Sequence, residues 1–300
     1  MAQTPPPVGV AQELEPGLRR MLAPNASAMT YWGTNTYLLG GRSVAVIDPG
    51  PDDPAHIAAI LAATDGGRAI SHIVVTHAHV DHSLGAAPLA QACGAPVVAF
   101  GPAHKGQSPL MARLVAEGLQ SGGEGVDRTF EPDIELADGE ELAGEGWRMQ
   151  AIWTPGHLSN HICLAWGDAV FSGDHVMDWA TSIVSPPDGD LGAFMASCER
   201  LLARHDRVFY PGHGNPVSEP QARTQALIDH RRGRERQILD LLGQGPQTPD
   251  AMVAQMYADV PKALFGAAKR NVFAHLIDLC ERGLALPQGD LSDAATFQQP

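Results

Sequence analysis

Short β-rich runs alternate with helices from residue 37 to residue 210, which predicts a mixed α/β chain of the α+β kind. Two observations refine this. From residue 221 to residue 282 only helical pattern is read, broken at GQGPQTP and ADVP. The charge changes at the same place: residues 1–219 carry 11 bases against 25 acids, and residues 220–300 carry nine of each. A boundary at 219/220 follows, dividing a first domain (1–219) from a small helical module (220–300). Three hundred residues suit one large domain with an appendage.

Each element has a local reason. Residues 1–25 are Pro-rich and are expected to cross the surface in extended form. Residues 37–39 and 43–48 flank Gly40-Gly41, a hairpin signal. Residues 54–63 form an Ala-rich helix, and residues 72–76 (HIVVT) a buried strand. Residues 84–93 are helical and end at Gly94, a C-cap. A strand at 96–100 and a helix at 111–119 follow, then a Gly-rich break, SGGEG. Further strands are predicted near 134–136, 149–154, 161–166 and 169–172, then a helix at 191–205 and a last strand at 208–210. In the tail, RRGRERQILDLLG, residues 249–257 and residues 262–282 read as helices, and GLALPQG as a small wing.

Composition excludes several classes. Acids outnumber bases 34 to 20, which argues against a globally basic nucleic-acid surface. Hydrophobic content of 44% with 18% charge describes a globular chain. Cys93, Cys163, Cys198 and Cys280 lie far apart with no CxxC pair, as expected of small core residues in a reducing compartment. No run approaches the roughly 20 apolar residues of a membrane helix. The first 20 residues lack the pattern of a signal peptide, so a cytoplasmic location is expected. Histidine stands out, at 13 residues against four Tyr and five Trp.

Those histidines cluster. The segment THAHVDH places His77, His79, Asp81 and His82 within six residues, after an apolar strand and before a helix. Alternate residues of an extended segment point the same way, so His77 and His79 can share one metal. Asp81 and His82, at the turn into the helix, can reach a second metal. The alternative is a helix-capping Asp81 among solvated histidines. Three later segments add His157 in TPGH, Asp174 in FSGDH and His213 in YPGHG. Each sits at a strand end beside a glycine, which lets backbone turn sharply and approach closely.

This order of ligands resembles the metallo-β-lactamase superfamily, the glyoxalase II-like hydrolases, over about residues 30–219. The resemblance implies a four-layer αββα sandwich with its site at the sheet edges. By matching positions it implies one zinc on His77, His79 and His157, a second on Asp81, His82 and His213, and Asp174 bridging both. Two Zn²⁺ are the implied cofactors, with manganese or iron as alternative occupants. A hydroxide bridging two such metals attacks a carbonyl or phosphoryl centre without a Ser or Cys nucleophile. Asp81 and Asp174 are the candidate proton relays, with simple ligation as the alternative.

Weaker candidates surround this set. Asp48, in AVIDPG, resembles the aspartate that orients a ligand histidine in this superfamily, the alternative being a turn residue before Pro49. His161 and His175 are candidates for substrate contact or for support of the ligands. Tyr210 is a candidate oxyanion donor or a packing residue, and Asp178 and Trp179 are candidate pocket-lining residues. The tail resembles the winged-helix-like segment of the β-lactamase-like protein 2 group. That group shares TNTYL at 34–38 and a segment like SPPDGD at 185–190. Arg231, Arg232, Arg234 and Arg236 would make a phosphate-contacting patch if they face solvent; otherwise they belong to the first turn of a packing helix. The module can equally cover the pocket or form a homo-oligomer surface.

The expected function is therefore a dinuclear zinc hydrolase of an ester, thioester, amide or phosphodiester. Three alternatives stand beside it: an endoribonuclease on single-stranded RNA, a glyoxalase II-like thioesterase, and a non-catalytic metal- or nucleic-acid-binding regulator. The expected partner is a small-molecule substrate or single-stranded RNA, with no membrane.

Overall fold

A computed structural model describes residues 4–120, 125–259 and 261–300. The SGGEG break falls almost wholly outside the described residues, at 121–124. The first sheet has seven strands in sequence order: β1 (Gln12–Glu15), β2 (Leu18–Leu22), β3 (Asn35–Leu39), β4 (Ser43–Ile47), β5 (Ala69–Val74), β6 (Val97–Ala99) and β7 (Ile134–Glu135). Pairing is antiparallel from β1 to β4 and parallel from β4 to β7. The second sheet runs β12 (Val208–Pro211), β11 (Ala169–Gly173), β10 (Ile162–Trp166), β9 (Trp147–Trp153) and β8 (Glu141–Gly144). Only β11 and β12 are parallel in it.

The two sheets face each other. Tyr37, Leu39, Ile47 and Val74 from the first pack against Met149, Ile162, Leu164 and Phe171 from the second. Side chains alternate along a strand, so Leu38, Val46 and Ile73 turn the other way. There they meet Ile57 and Ile60 of α1 (Pro54–Ala63) and Leu89 of α3 (Ala86–Cys93). A four-residue helix, α2 (Val80–Ser83), precedes α3. Beyond the second sheet, Ile152, Val170 and Phe209 pack with Leu201 of α5 (Leu191–Leu202) and Leu227 of α6 (Pro220–Gly243). These are the four αββα layers. The inner strands β4, β10 and β11 are covered on both faces and read as near-continuous apolar runs, whereas β9 alternates and exposes Arg148 and Gln150.

The second module has its own core. Ile238 and Leu242 of α6 pack with Met252 and Val253 of α7 (Pro249–Met256) and Val272 and Leu276 of α8 (Phe265–Glu281). Met111 and Leu114 of α4 (Pro109–Ala116) join this core from the first domain. The wing is β13 (Leu286–Gln288) paired with β14 (Thr296–Gln298). The 24-residue α6 therefore enters both cores, Leu227 and Ile228 in the first domain and Ile238 and Leu242 in the second.

Several local expectations change. Residues 12–22 are a sheet hairpin and not a surface crossing, with Leu18, Met21 and Leu22 buried. Its arginines disguise it: Arg20 is buried and donates to the Gly214 carbonyl, and Arg19 donates to the Ala63 carbonyl at 2.8 Å. The helix expected at 84–93 starts later, at Ala86, and Gly85 before it donates its N–H to the Gly50 carbonyl at 2.9 Å. Gly94 does end it in the left-handed conformation, at φ 76°. No helix among the described residues is long and apolar enough to cross a membrane. All four cysteines are free; Cys163 and Cys198 are buried and Cys93 and Cys280 half-buried.

Candidate metal centre

The parallel parts of both sheets bring their strand ends to one edge, the usual place for a site in such sheets. Asp48 follows β4, His77 and His79 follow β5, His157 follows β9, Asp174 follows β11 and His213 ends the turn after β12. Asp81 and His82 lie on α2.

Hydrogen bonds fix which ring nitrogen each histidine presents. His157 Nδ1 meets the Ile183 carbonyl at 2.7 Å, and His213 Nδ1 meets the Gly33 carbonyl at 3.1 Å. A carbonyl only accepts, so both Nδ1 atoms carry hydrogen and both Nε2 atoms face inward. Asp48 does the same for two more. Its carboxylate accepts from His82 Nδ1 at 2.9 Å and from the Thr76 hydroxyl at 2.8 Å. Thr76 has spent its one proton there, so at 3.0 Å it must accept from His77 Nδ1. Thus four imidazoles are locked with Nε2 pointing at one another, and His79 joins them through Nδ1.

The inward atoms form two groups. His77 Nε2 and His157 Nε2 each lie 3.0 Å from His79 Nδ1. In the second group, His213 Nε2 is 3.4 Å from His82 Nε2 and 3.2 Å from Asp81 Oδ2, and His82 Nε2 is 3.5 Å from the same oxygen. Asp174 stands between them: Oδ1 is 3.5 Å from His82 Nε2, and Oδ2 is 3.3 Å from His213 and 3.8 Å from His157.

A metal fits these groups on three grounds. Ligand atoms about 2.0–2.1 Å from a tetrahedral zinc stand roughly 3.3 Å from one another, close to the spacings seen. In the first group three buried ring nitrogens converge with at most one proton among them, on His79 Nδ1, which leaves lone pairs free for a cation. Asp174 Oδ1 is buried without a hydrogen-bond partner. Glycine makes the closeness feasible. A Cβ on Gly212 would lie 2.4 Å from Asp174 Oδ1 and 2.6 Å from His82 Cε1.

The two groups titrate oppositely. Burial and the neighbouring imidazoles hold His77 well below its ordinary value, and burial takes His79 down to about 3. Burial also lowers His157. These three remain neutral and ready as ligands. For His82 and His213 burial opposes the proton, but the carboxylates of Asp81 and Asp174 outweigh it. His82 is held well above its ordinary value and His213 at about 9. Without a cation, protons occupy this second group. A cation must displace them, so metal affinity is expected to rise with pH through neutrality toward about 9. Calorimetric titration in buffers of different ionisation enthalpy should show protons released per metal bound at pH 7; zero release contradicts this ordering.

The structure brings together all seven expected ligands, and it brings Asp48 to His82. For three weaker candidates it favours the supporting or packing alternative over substrate contact. Tyr210 is buried between the sheets with its hydroxyl donated to Glu15, away from the site. His161 is fully buried, accepting from the Asp174 backbone N–H at 3.2 Å and pairing with the Thr154 hydroxyl at 2.8 Å, so it holds Asp174 in place. His175 is fully buried against Phe194, with ring centroids 4.4 Å apart. Asp178 accepts from the Asn215 N–H, and Trp179 stacks on Tyr31 at 4.8 Å; neither lines the cleft.

The cleft over the cluster measures about 70 Å³ and is lined by His79, Asp81, His157, Asp174, Ile183 and Asp188, among others. Asp188 also lines an apolar cavity of about 350 Å³ beside it, with Met111, Trp153, Pro155 and Pro187. A larger cavity, about 920 Å³, lies between α4 and the C-terminal module, away from the cluster.

The matching family models agree with this geometry. One for the metallo-beta-lactamase superfamily covers residues 29–213. The chain belongs to that superfamily. A second, for the beta-lactamase associated winged helix domain, covers residues 248–294. As a superfamily member the chain is a metal-dependent hydrolase. It is 34% identical over 282 residues to the beta-lactamase-like protein 2 homolog of Drosophila melanogaster, covering 88% of each chain. It is 30% identical over 283 residues to an atrochrysone carboxyl ACP thioesterase of Aspergillus fumigatus, covering 90% of this chain and 80% of the relative. Among solved structures, TTHA1623 in a di-iron-bound form is 31% identical with a TM-score of 0.50, covering 66% of this chain and 96% of that one.

Some site residues carried no motif of their own. In TNTYL, the Thr34 hydroxyl donates to Asp81 Oδ2 at 3.2 Å. Asn35 Nδ2 donates to the Pro211 and Gly214 carbonyls at 3.0 and 2.9 Å, holding the turn that carries His213. Sequence reading saw the segment but could not assign these contacts. Ile183, the acceptor for His157, was missed altogether, because a backbone carbonyl leaves no trace in residue type.

Proposed function

We propose that the chain is a dinuclear metal hydrolase acting on a thioester. The observation that carries the reading is the buried convergence of five histidines and two aspartates, with four imidazoles locked Nε2-inward by oxygen acceptors. His77, His79 and His157 would hold one cation, Asp81, His82 and His213 the second, and Asp174 both. Two zinc ions there would supply Lewis acidity, activating water near neutral pH and polarising the scissile carbonyl. Iron is the alternative metal, since the di-iron form named above shares 31% identity.

The protein's own residues do the rest. Asp81 opens on the cleft with its side chain 22% exposed, so it is the carboxylate placed to relay a proton. Asp174 lies deeper and serves as a ligand. The adjoining apolar cavity suits the acyl part of a substrate too large for the 70 Å³ cleft. A thioesterase among the relatives supports the thioester reading. The RNA reading loses part of its patch, because Arg231 is buried, Arg232 pairs with Glu199 and Arg234 lies over Tyr257.

Metal-loaded protein should be assayed against an acyl thioester, a lactone, a β-lactam, bis-p-nitrophenyl phosphate and single-stranded RNA. The thioester should give the highest kcat/KM. Preference for the phosphodiester and RNA would replace this reading with the nuclease one.

A further inference from the structure

The segment between β11 and α5 has no regular structure from 176 to 190, yet it touches the site twice. Ile183 offers the carbonyl that fixes His157 Nδ1. The single Ser182 hydroxyl proton is shared between the backbone carbonyls of Asp174 and His175. Such a segment needs outside partners for its buried carbonyls. Two arginines of α6 supply them. Arg223 donates from Nε to the Met177 carbonyl and from an Nη to the Ala180 carbonyl, each at 2.6 Å. Arg231, only 4% exposed, donates to the Ser182 carbonyl. Eight residues of helix separate these arginines by about 12 Å, so α6 grips the segment at two places.

Arg231 is itself held from the C-terminal side. Its other Nη donates to Asn271 Oδ1 of α8 at 2.8 Å, and its guanidinium lies over Phe194 of α5 at 5.3 Å. The path runs from α8 through Arg231 to Ser182, and from there to Asp174 and, one residue on, to His157.

We infer that Arg231 is a positioning residue for the metal centre, and that the winged-helix module acts through it to brace Asp174 and His157. This rests on reading the cluster as a metal centre. Arg's planar fork serves two acceptors at once, which the single ammonium of Lys cannot reproduce.

The test uses the full chain and two probes, Zn²⁺ titration and the visible absorption of the Co²⁺-loaded protein. Arg231→Met should weaken metal affinity by about 10–100-fold, the usual effect of removing support behind a ligand, and should alter the Co²⁺ bands. Ser182→Ala should move both in the same direction, and it decides the matter if Arg231→Met does not fold. Ile60→Ala, in the core behind the first sheet, should lower Tm and leave affinity and spectrum unchanged. Wild-type affinity and spectrum in both Arg231→Met and Ser182→Ala overturn the inference, as does an equal loss of affinity in Ile60→Ala. A wild-type chain that takes up no metal overturns the metal-centre reading and this one with it.

Discussion

Substitution of His79 by alanine should strip metal from one half of the centre and lower hydrolysis on the order of 10³-fold or more. His79 Nδ1 is the atom that both His77 Nε2 and His157 Nε2 approach at 3.0 Å, so its loss leaves two nitrogens where three were arranged. A catalytic metal contributes several kcal/mol of transition-state charge stabilisation, and about 4 kcal/mol corresponds to roughly 10³ in rate. The variant also separates function from folding. In the metal-free chain burial keeps His79 uncharged down to about 3. Its removal there costs no ion pair, only packing and one N–H shared with His77 or His157. The gap in Tm between variant and wild type should therefore be much larger for the metal-loaded forms than for the metal-free ones. Metal analysis, kcat/KM and Tm in both states check this. Full metal content with unchanged turnover would remove His79 from the centre.

How much of this was legible depends on whether the information was local. HxHxDH is local: four ligands in six residues, beside a buried strand. The later ligands were readable because each needs a glycine neighbour for close approach. Tyr210 looked like part of YPGHG, but it is still a strand residue. Alternation sends it into the inter-sheet core beside Tyr37, at a ring distance of 5.8 Å. Residue type cannot show where a strand stops and its turn begins. The arginine run failed for a related reason. Charge reads as exposure, and only the packing of α6 between two cores makes Arg231 an internal donor. The β1–β2 hairpin was hidden in the same way, by arginines that reach carbonyls 44 and 194 residues distant.

Gly212→Ala should damage the centre directly although it adds only a single carbon. Gly212 has no positive φ, so its backbone suits alanine and any effect is steric. The added Cβ would stand 2.4 Å from Asp174 Oδ1 and 2.6 Å from His82 Cε1, well inside contact distance. Neither neighbour can yield cheaply. His82 is fixed by Asp48 at Nδ1, and Asp174 is tied at its N–H to His161 and at its carbonyl to Ser182. The backbone of Gly212 is equally confined, donating to the Gly173 carbonyl at 2.8 Å and accepting from the Asn35 N–H at 2.7 Å. The strain must therefore fall on the carboxylate placed between the two groups of ligands. Overpacking of a tight interior typically costs about 1–3 kcal/mol, which in a chain of this size lowers Tm by several degrees. The displaced Asp174 should cost more than the strain does. Both groups lose a shared ligand at once, so metal content should fall below that of His79→Ala, and turnover with it. Metal analysis of the folded variant and its Tm decide the case. Wild-type metal content alongside a lowered Tm would mean that Asp174 can move without consequence, and that the two groups do not depend on it.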